Sequence, residues 1–339
     1  MGEKAVIVID IQKCFLPGGG LPTGNARNTA SGATALGTSV AKFINKVNPE
    51  NVFITLDWHT EGHSSFVSNA DRAAGKMSFP EAAGQGAYNK GMNVERYASR
   101  TFAGTRMWGD EQSRKIQKLW PKHCVQGTDD AAVADELMSA LKPEIASKAV
   151  KIMKGDTADT DSYSAIADAL GNPTPHDESG KSFLDLLKES NITEVHVTGI
   201  ARDVCVFWTA LDLLNYWIIP AYKEGKVIKL VFQYDLTRPV SNVPGAPYTD
   251  ITVDQIKKEV ADLVAKMLEK DVSMVSSDVE KLFAVEGDGT KYPSYNAAGG
   301  RRNKACTKRH RHGAACTGTR KSKNRKNSKS RSRRLDNLF

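Results

Sequence analysis

Apolar positions in this chain fall into short, nearly unbroken β-branched runs that alternate with stretches of helical period. Residues Ala5-Val6-Ile7-Val8-Ile9-Asp10-Ile11 and Val52-Phe53-Ile54-Thr55-Leu56 read as strands covered on both faces, because a half-exposed strand would alternate with polar residues. Further strands are expected at 149–154, 195–197 and 227–233. Helical spacing marks 35–47, 133–141, 182–190, 206–214 and 253–268; in the last, Ile256, Val260, Leu263, Val264 and Met267 share one face. Strands alternating with helices predict an α/β fold, a doubly wound, mainly parallel sheet with helices on both faces. Two stretches break the pattern. Residues 67–119 are rich in Gly, Ala, Ser, Asn and Lys and read as an insertion or lid with one helix at 110–119. After about residue 285 the periodicity fails, which predicts a domain at 1–283 and a low-complexity tail at 284–339 that cannot bury enough apolar surface to order itself.

Charge sharpens this division. The net charge is +8, but residues 301–339 hold 15 of the 47 Lys/Arg and one of the 39 Asp/Glu, so the tail carries +14 and the other 300 residues −6. Residues 301–334, with the cluster Arg320-Lys321-Ser322-Lys323-Asn324-Arg325-Lys326, could contact nucleic-acid phosphates or an import receptor, though no aromatic residues interleave the basic ones to stack on bases. Cys306, His310, His312 and Cys316 match no common zinc-finger spacing. No run of about 18 apolar residues suggests a membrane span, and Glu3 followed at once by a strand is unlike a signal peptide. The five cysteines are odd in number and scattered, which argues against a disulfide framework and for a reducing compartment. An intracellular, cytoplasmic protein is expected, with nuclear entry through the tail as an addition.

Candidate chemistry lies where strands end. Cys205 follows the strand at 195–197 and precedes a helix, where free N–H groups and the helix dipole favour thiolate. Asp10 and Lys154 also fall near the carboxyl ends of strands, which face one crevice in an open α/β sheet. A carboxylate to take the thiol proton, an ammonium to steady anions and a thiolate to attack a carbonyl form one chemical set. Singly, Asp10 could cap a helix and Lys154 could be a solvated strand end. A second set, Asp57, His59, His63 and His123, offers mixed O/N ligands for a divalent ion, or merely hydrogen bonds to loop backbone.

Five segments in order carry a resemblance: Val8-Ile9-Asp10-Ile11-Gln12; Asp57-Trp58-His59 with His63-Ser64-Ser65-Phe66; Trp120-Pro121-Lys122-His123-Cys124-Val125-Gln126-Gly127-Thr128; Lys154-Gly155 with Asp161-Ser162-Tyr163-Ser164-Ala165; and Gly199-Ile200-Ala201-Arg202-Asp203-Val204-Cys205-Val206. Over about residues 3–270 the chain resembles the isochorismatase-like cysteine hydrolases, and within them the nicotinamidase branch. The resemblance implies that Asp10, Lys154 and Cys205 form a catalytic triad. It implies a divalent metal on Asp57, His59 and His123, zinc foremost with iron or manganese as alternatives, and His63 close by or a further ligand. Phe15 and Trp120 would sandwich a pyridine ring, Tyr163 would line its pocket, and the N–H groups of Ala201 and Cys205 would face an oxyanion, with a cis peptide before Ala201. The implied reaction is hydrolysis of nicotinamide to nicotinate and ammonia through a thioester, in NAD salvage, with pyrazinamide as a second substrate and a homo-oligomer as the assembly. The chain departs from the pattern at Lys13-Cys14, where Asn-Asp is usual, at Arg202, where Thr is usual, and in the length of 67–119. Two other readings stand beside this one: a cysteine hydrolase of another small amide, and a scaffold whose tail binds nucleic acid.

Overall fold

The computed structural model describes residues 2–23, 33–63, 65–66, 88–89, 117–118, 120–158, 160–168, 171–175, 180–240 and 250–288. They belong to the larger of two compact units, 1–297; the other, 298–339, lies outside the described residues together with the basic tail. The strands are β1 (Glu3–Ile9), β2 (Asn51–Asp57), β3 (Tyr88–Asn89), β4 (Gln117–Lys118), β5 (Val150–Lys154), β6 (Ile192–Ile200), β7 (Lys229–Arg238) and β8 (Phe283–Glu286). Six of them form one sheet in the order β5-β2-β1-β6-β7-β8, every pair parallel. The last five residues of β1 are all buried, so both faces of the sheet centre are covered, as the unbroken apolar run predicts.

The helices are α1 (Ala33–Val47), α2 (Asp135–Met138), α3 (Pro143–Ala146), α4 (Phe183–Glu189), α5 (Arg202–Lys223, with wider π-type turns at Arg202–Val206 and Leu214–Ile218), α6 (Val253–Leu268) and α7 (Ser276–Leu282). Reciprocal side-chain to backbone caps start two of them: Ser182 with Asp185 at α4, and Thr252 with Gln255 at α6. Helix α5 is long and apolar enough to cross a bilayer, but 78% of its most apolar stretch is buried in the fold, so it is a core helix.

Three expectations change. Of the helix expected at 110–119, only 117–118 are described, and they pair antiparallel with 88–89 as a two-residue ladder. Strand β8 straddles residues 283 and 284, where the apolar pattern fades, because a four-residue edge strand carries too few positions to show a period. Cys14 and Cys124 are joined in a disulfide, with Cα atoms 5.3 Å apart across 110 residues of sequence. The argument from scattered cysteines to a reducing compartment therefore fails. Closing a loop of that length restricts the unfolded chain, so Cys14→Ser/Cys124→Ser should lower the unfolding free energy by about 2–4 kcal/mol. Urea titrations with and without dithiothreitol check this; the shift on reduction should vanish in the double variant.

The chain builds outward from β1 to β2 and β5 on one side and from β6 to β8 on the other, so the sheet changes direction between β1 and β6. That switch opens a crevice at the carboxyl ends of the strands. Gly199, at φ +130°, closes the two central strands there: a Cβ would lie 2.0 Å from the Ile9 carbonyl oxygen.

Candidate active site

Four elements deliver polar side chains to this crevice. Asp57 and Lys154 end β2 and β5 and are register partners. Asp10 follows β1, and Cys205 sits in the first turn of α5. Asp10 and Ala201 take left-handed φ values of 53° and 61°, as does Cys124 at 48°; each is a cost for a non-glycine residue that the surroundings must sustain. At Asp10 the backbone N–H donates to Thr55, at 3.2 Å to the hydroxyl and 3.3 Å to the carbonyl, and the Thr55 hydroxyl donates back to Asp10 Oδ1 at 2.6 Å. The described residues contain no cis peptide, so the turn at Ala201 is made by left-handed backbone instead.

Lys154 is the hub. Its Nζ lies 2.9 Å from Asp10 Oδ2 and 3.6 Å from Cys205 Sγ, and it donates to the Ser162 carbonyl at 3.1 Å and to Asp57 Oδ1. All four side chains are buried. Burial opposes the charge on Lys154, but Asp10 and Asp57 outweigh it and hold the ammonium well above its usual range. Asp57 is likewise opposed by burial, yet Lys154 and then His59 keep it well below the usual carboxylate range. Burial raises Asp10 more than Lys154 lowers it. The Cys205 thiol is pushed well up: burial dominates, Lys154 offsets part of it, and Asp10 and Asp57 add to it. Burial thus outweighs the pull of the helix end toward thiolate, and the thiol needs a base, with Asp10 at hand as the sequence reading has it.

The histidines show a ligand-like arrangement. His59 Nδ1 is 2.9 Å from the Gly155 carbonyl and His123 Nδ1 2.6 Å from the Pro121 carbonyl, so each donates its Nδ1–H to backbone and turns Nε2 toward Asp57. Both Nε2 atoms lie 3.7 Å from Asp57 Oδ2. Gly155 is required here, since a Cβ would stand 2.7 Å from the His59 ring. His63 is engaged otherwise. Its Nδ1 lies 2.6 Å from the Ser65 hydroxyl and 3.3 Å from the Ser65 N–H, its Nε2 is 3.3 Å from the Thr160 carbonyl, and burial and then His59 lower its pKa to about 4. It also joins His59 and Asp161 in a group whose donor atoms lie within 4.8 Å of one another. Cys124 stands beside Asp57 and His123 but its sulfur is held in the disulfide.

Cys205 and Ala201 line a cleft. Phe15, Trp120 and Tyr163 line it, with Asp57, His59 and His123 on the polar side. The Trp120 indole N–H donates to the Tyr163 hydroxyl at 3.2 Å. Leu21, Asp161, Val204 and Val240 also line the cleft. Leu21 and Val240 come from loops without a periodic signal, and Asp161 could have been found from its place in the segment ending at Ala165. Asp203, behind the cleft, accepts the Val240 N–H at 2.7 Å, and burial, then Asp250, raises its pKa to about 6. A raised carboxylate takes up a proton on folding, so its contribution is full below the ordinary 3.8 and lost as pH rises through 6. Asp203→Asn keeps the accepting oxygen and removes the titration; wild-type stability relative to the variant should fall by up to about 3 kcal/mol between pH 4 and 7. Parallel urea titrations check it.

No family model matches the chain. The chain is 34% identical over 224 residues to a nicotinamidase of Acinetobacter baylyi, covering 65% of this chain and 80% of that protein. It is 28% identical over 218 residues to a nicotinamidase of Escherichia coli, covering 63% and 78%. Among solved structures, the yeast nicotinamidase superposes with a TM-score of 0.50 at 22% identity, over 77% of this chain and 97% of that one, a likeness of fold.

Proposed function

The chain belongs to the nicotinamidase family, and from that premise we propose that it hydrolyses nicotinamide to nicotinate and ammonia in NAD salvage, with pyrazinamide as a second amide of like ring size. One observation carries the reading: Lys154 Nζ, 2.9 Å from Asp10 and 3.6 Å from Cys205, lies beneath a cleft lined by three aromatic side chains.

Asp10 takes the thiol proton as Cys205 Sγ attacks the amide carbon, and the carbonyl electrons move onto oxygen. The N–H groups of Ala201 and Cys205 receive that oxyanion. Asp10 passes its proton to the nitrogen, the C–N bond breaks and ammonia leaves. A water gives a proton to Asp10 as its oxygen adds to the thioester; the C–S bond breaks, Asp10 returns that proton to Cys205 Sγ, and the acid leaves and ionises to nicotinate. Lys154 balances Asp10 and Asp57 throughout, while Phe15, Trp120 and Tyr163 hold the ring. Asp57, His59 and His123 would hold a divalent cation, zinc by their O/N/N donor set, with His63 able to join on leaving Thr160. Bound there, the cation supplies a Lewis acid for the pyridine nitrogen. The Nδ1 bonds to backbone carbonyls, which leave two Nε2 atoms facing one carboxylate oxygen, support this assignment.

Chelation should lower kcat/KM for nicotinamide by about tenfold or more, and zinc should restore it, because the loss of a positioning contact costs roughly that much. Benzamide, without a ring nitrogen, should be poor in both states. No ammonia from nicotinamide by the zinc-reloaded protein would overturn the reading. Work inside the cell fits this chemistry, and the charge of residues 301–339 supports an added polyanion contact through 301–334.

A further inference from the structure

A buried cation sits beside the catalytic group without entering it. Arg202 opens α5 directly after Ala201 and three residues before Cys205; it is 4% exposed and is absent from the lining of the cleft. Its guanidinium is committed to one neighbourhood. Nε donates to Asp250 Oδ1 at 3.0 Å, Nη2 to Asp250 Oδ2, and Nη1 to the Tyr234 carbonyl at 3.1 Å and the Thr237 hydroxyl at 3.3 Å. Its central carbon lies 3.9 Å over the Tyr234 ring, and the Tyr234 hydroxyl donates to the Ile251 carbonyl at 2.9 Å. The adjacent Asp203 holds the Val240 N–H at 2.7 Å. Two consecutive residues of the nucleophile turn therefore grip Val240 and Asp250, on either side of 241–249, and Val240 is a wall of the cleft.

The turn needs an external hold. Ala201 is left-handed, and its carbonyl accepts from both Val204 N–H (2.8 Å) and Val206 N–H (3.1 Å), an irregular helix start that simple α-helical pairing does not enforce. We propose that Arg202 is a positioning residue: its two-pronged grip on Asp250 locks the Ala201–Cys205 turn so that the backbone N–H groups face the oxygen of the tetrahedral adduct, and ties that turn to the Val240 wall. A planar fork stacked on an aromatic ring fixes direction as a lysine ammonium cannot. This inference rests on the function proposed above.

The test compares two ligands on the zinc-loaded full chain. Pyridine-3-carbaldehyde adds to Cys205: the S–C bond forms, the C=O electrons pass to oxygen, and the thiol proton goes to Asp10 or that oxygen. Nicotinate fills the ring site without adding. In Arg202→Lys, kcat and aldehyde affinity should both fall about 10- to 100-fold, since displaced oxyanion donors cost somewhat less than deleted ones. KM and nicotinate inhibition should stay within about twofold, because ground-state ring contacts are untouched. Asp250→Asn, which keeps shape and one accepting oxygen, should move the same way and carries the comparison if Arg202→Lys does not fold. Unchanged kcat in a folded variant, or equal weakening of aldehyde and nicotinate, would overturn the proposal. A wild type that binds aldehyde but releases no ammonia from nicotinamide would sink the functional reading instead, and the ratio of aldehyde affinities would still judge Arg202.

Discussion

Cys205→Ala should abolish ammonia release from nicotinamide, by a factor on the order of 10⁴ to 10⁶, while leaving the protein folded and able to bind nicotinate. The side chain is buried and lines the cleft, and no other described cysteine is free to replace it: Cys14 and Cys124 are bonded to each other. Folding should survive because alanine fills most of the space of a small thiol and removes a group that burial already disfavours in its charged form. Cys205→Ser should be nearly as inactive, since a hydroxyl is a far weaker acid than a thiol and Asp10 is not base enough to prepare it. The pH profile gives a second reading of the same chemistry. Turnover needs ionised Asp10, whose pKa burial raises above the ordinary 3.8, so kcat/KM should climb with pH through a value higher than that of a free aspartate. Steady-state ammonia assays on the two variants, and on wild type across pH, check all three points. Substantial turnover by Cys205→Ala would remove the nucleophile from the mechanism.

Asp10, Asp57 and Lys154 were legible because the expected strands end near them, and strand ends in a parallel sheet converge on one crevice by geometry alone. The helix at 253–268 was legible because a clean apolar face marks it; the Thr252–Gln255 cap that starts it was seen only in the structure. Other features depend on packing that no local pattern encodes. The Cys14–Cys124 bond joins loops 110 residues apart and requires knowing that the segment after β1 lies against the segment before α2. The protonation state of Cys205 turned on which effect is larger: a helix end is worth a fraction of a kcal/mol to about 2 kcal/mol, and full burial of a thiolate costs more. His63 was placed near the metal set or as a further ligand, and local pattern does not show that Ser65 and the Thr160 carbonyl engage its two nitrogens. Arg202 appeared only as a departure from a pattern; its partner Asp250 lies 48 residues on and is brought to it by β7.

Lys154→Met should lose both activity and stability, and the stability loss should shrink as pH falls. In the native chain Lys154 raises its own pKa by pairing with Asp10 and Asp57, so its contribution is present below 10.5 and lost only as pH rises through the higher folded value. Asp57, held well below 3.8, contributes above that value and loses its contribution as pH falls through the folded one. Both contributions are complete between about pH 5 and 10. Methionine fills similar space but leaves two buried carboxylates without their cation, a change that typically costs about 3–5 kcal/mol. Burial and mutual repulsion then raise both carboxylate pKa values, so protonating one of them relieves the variant as pH falls from 8 toward 5, a range in which the wild-type pairing is constant. Urea unfolding with a chelator present, at several pH values, separates this from loss of packing, because a cavity or a misfit side chain would cost the same at every pH. The activity should fall in parallel by about 10² to 10⁴, since an Asp10 that holds a proton near neutrality cannot take one from Cys205. Lowering the pH would then restore stability while leaving turnover lost, a divergence that only a charge-balancing role for Lys154 produces.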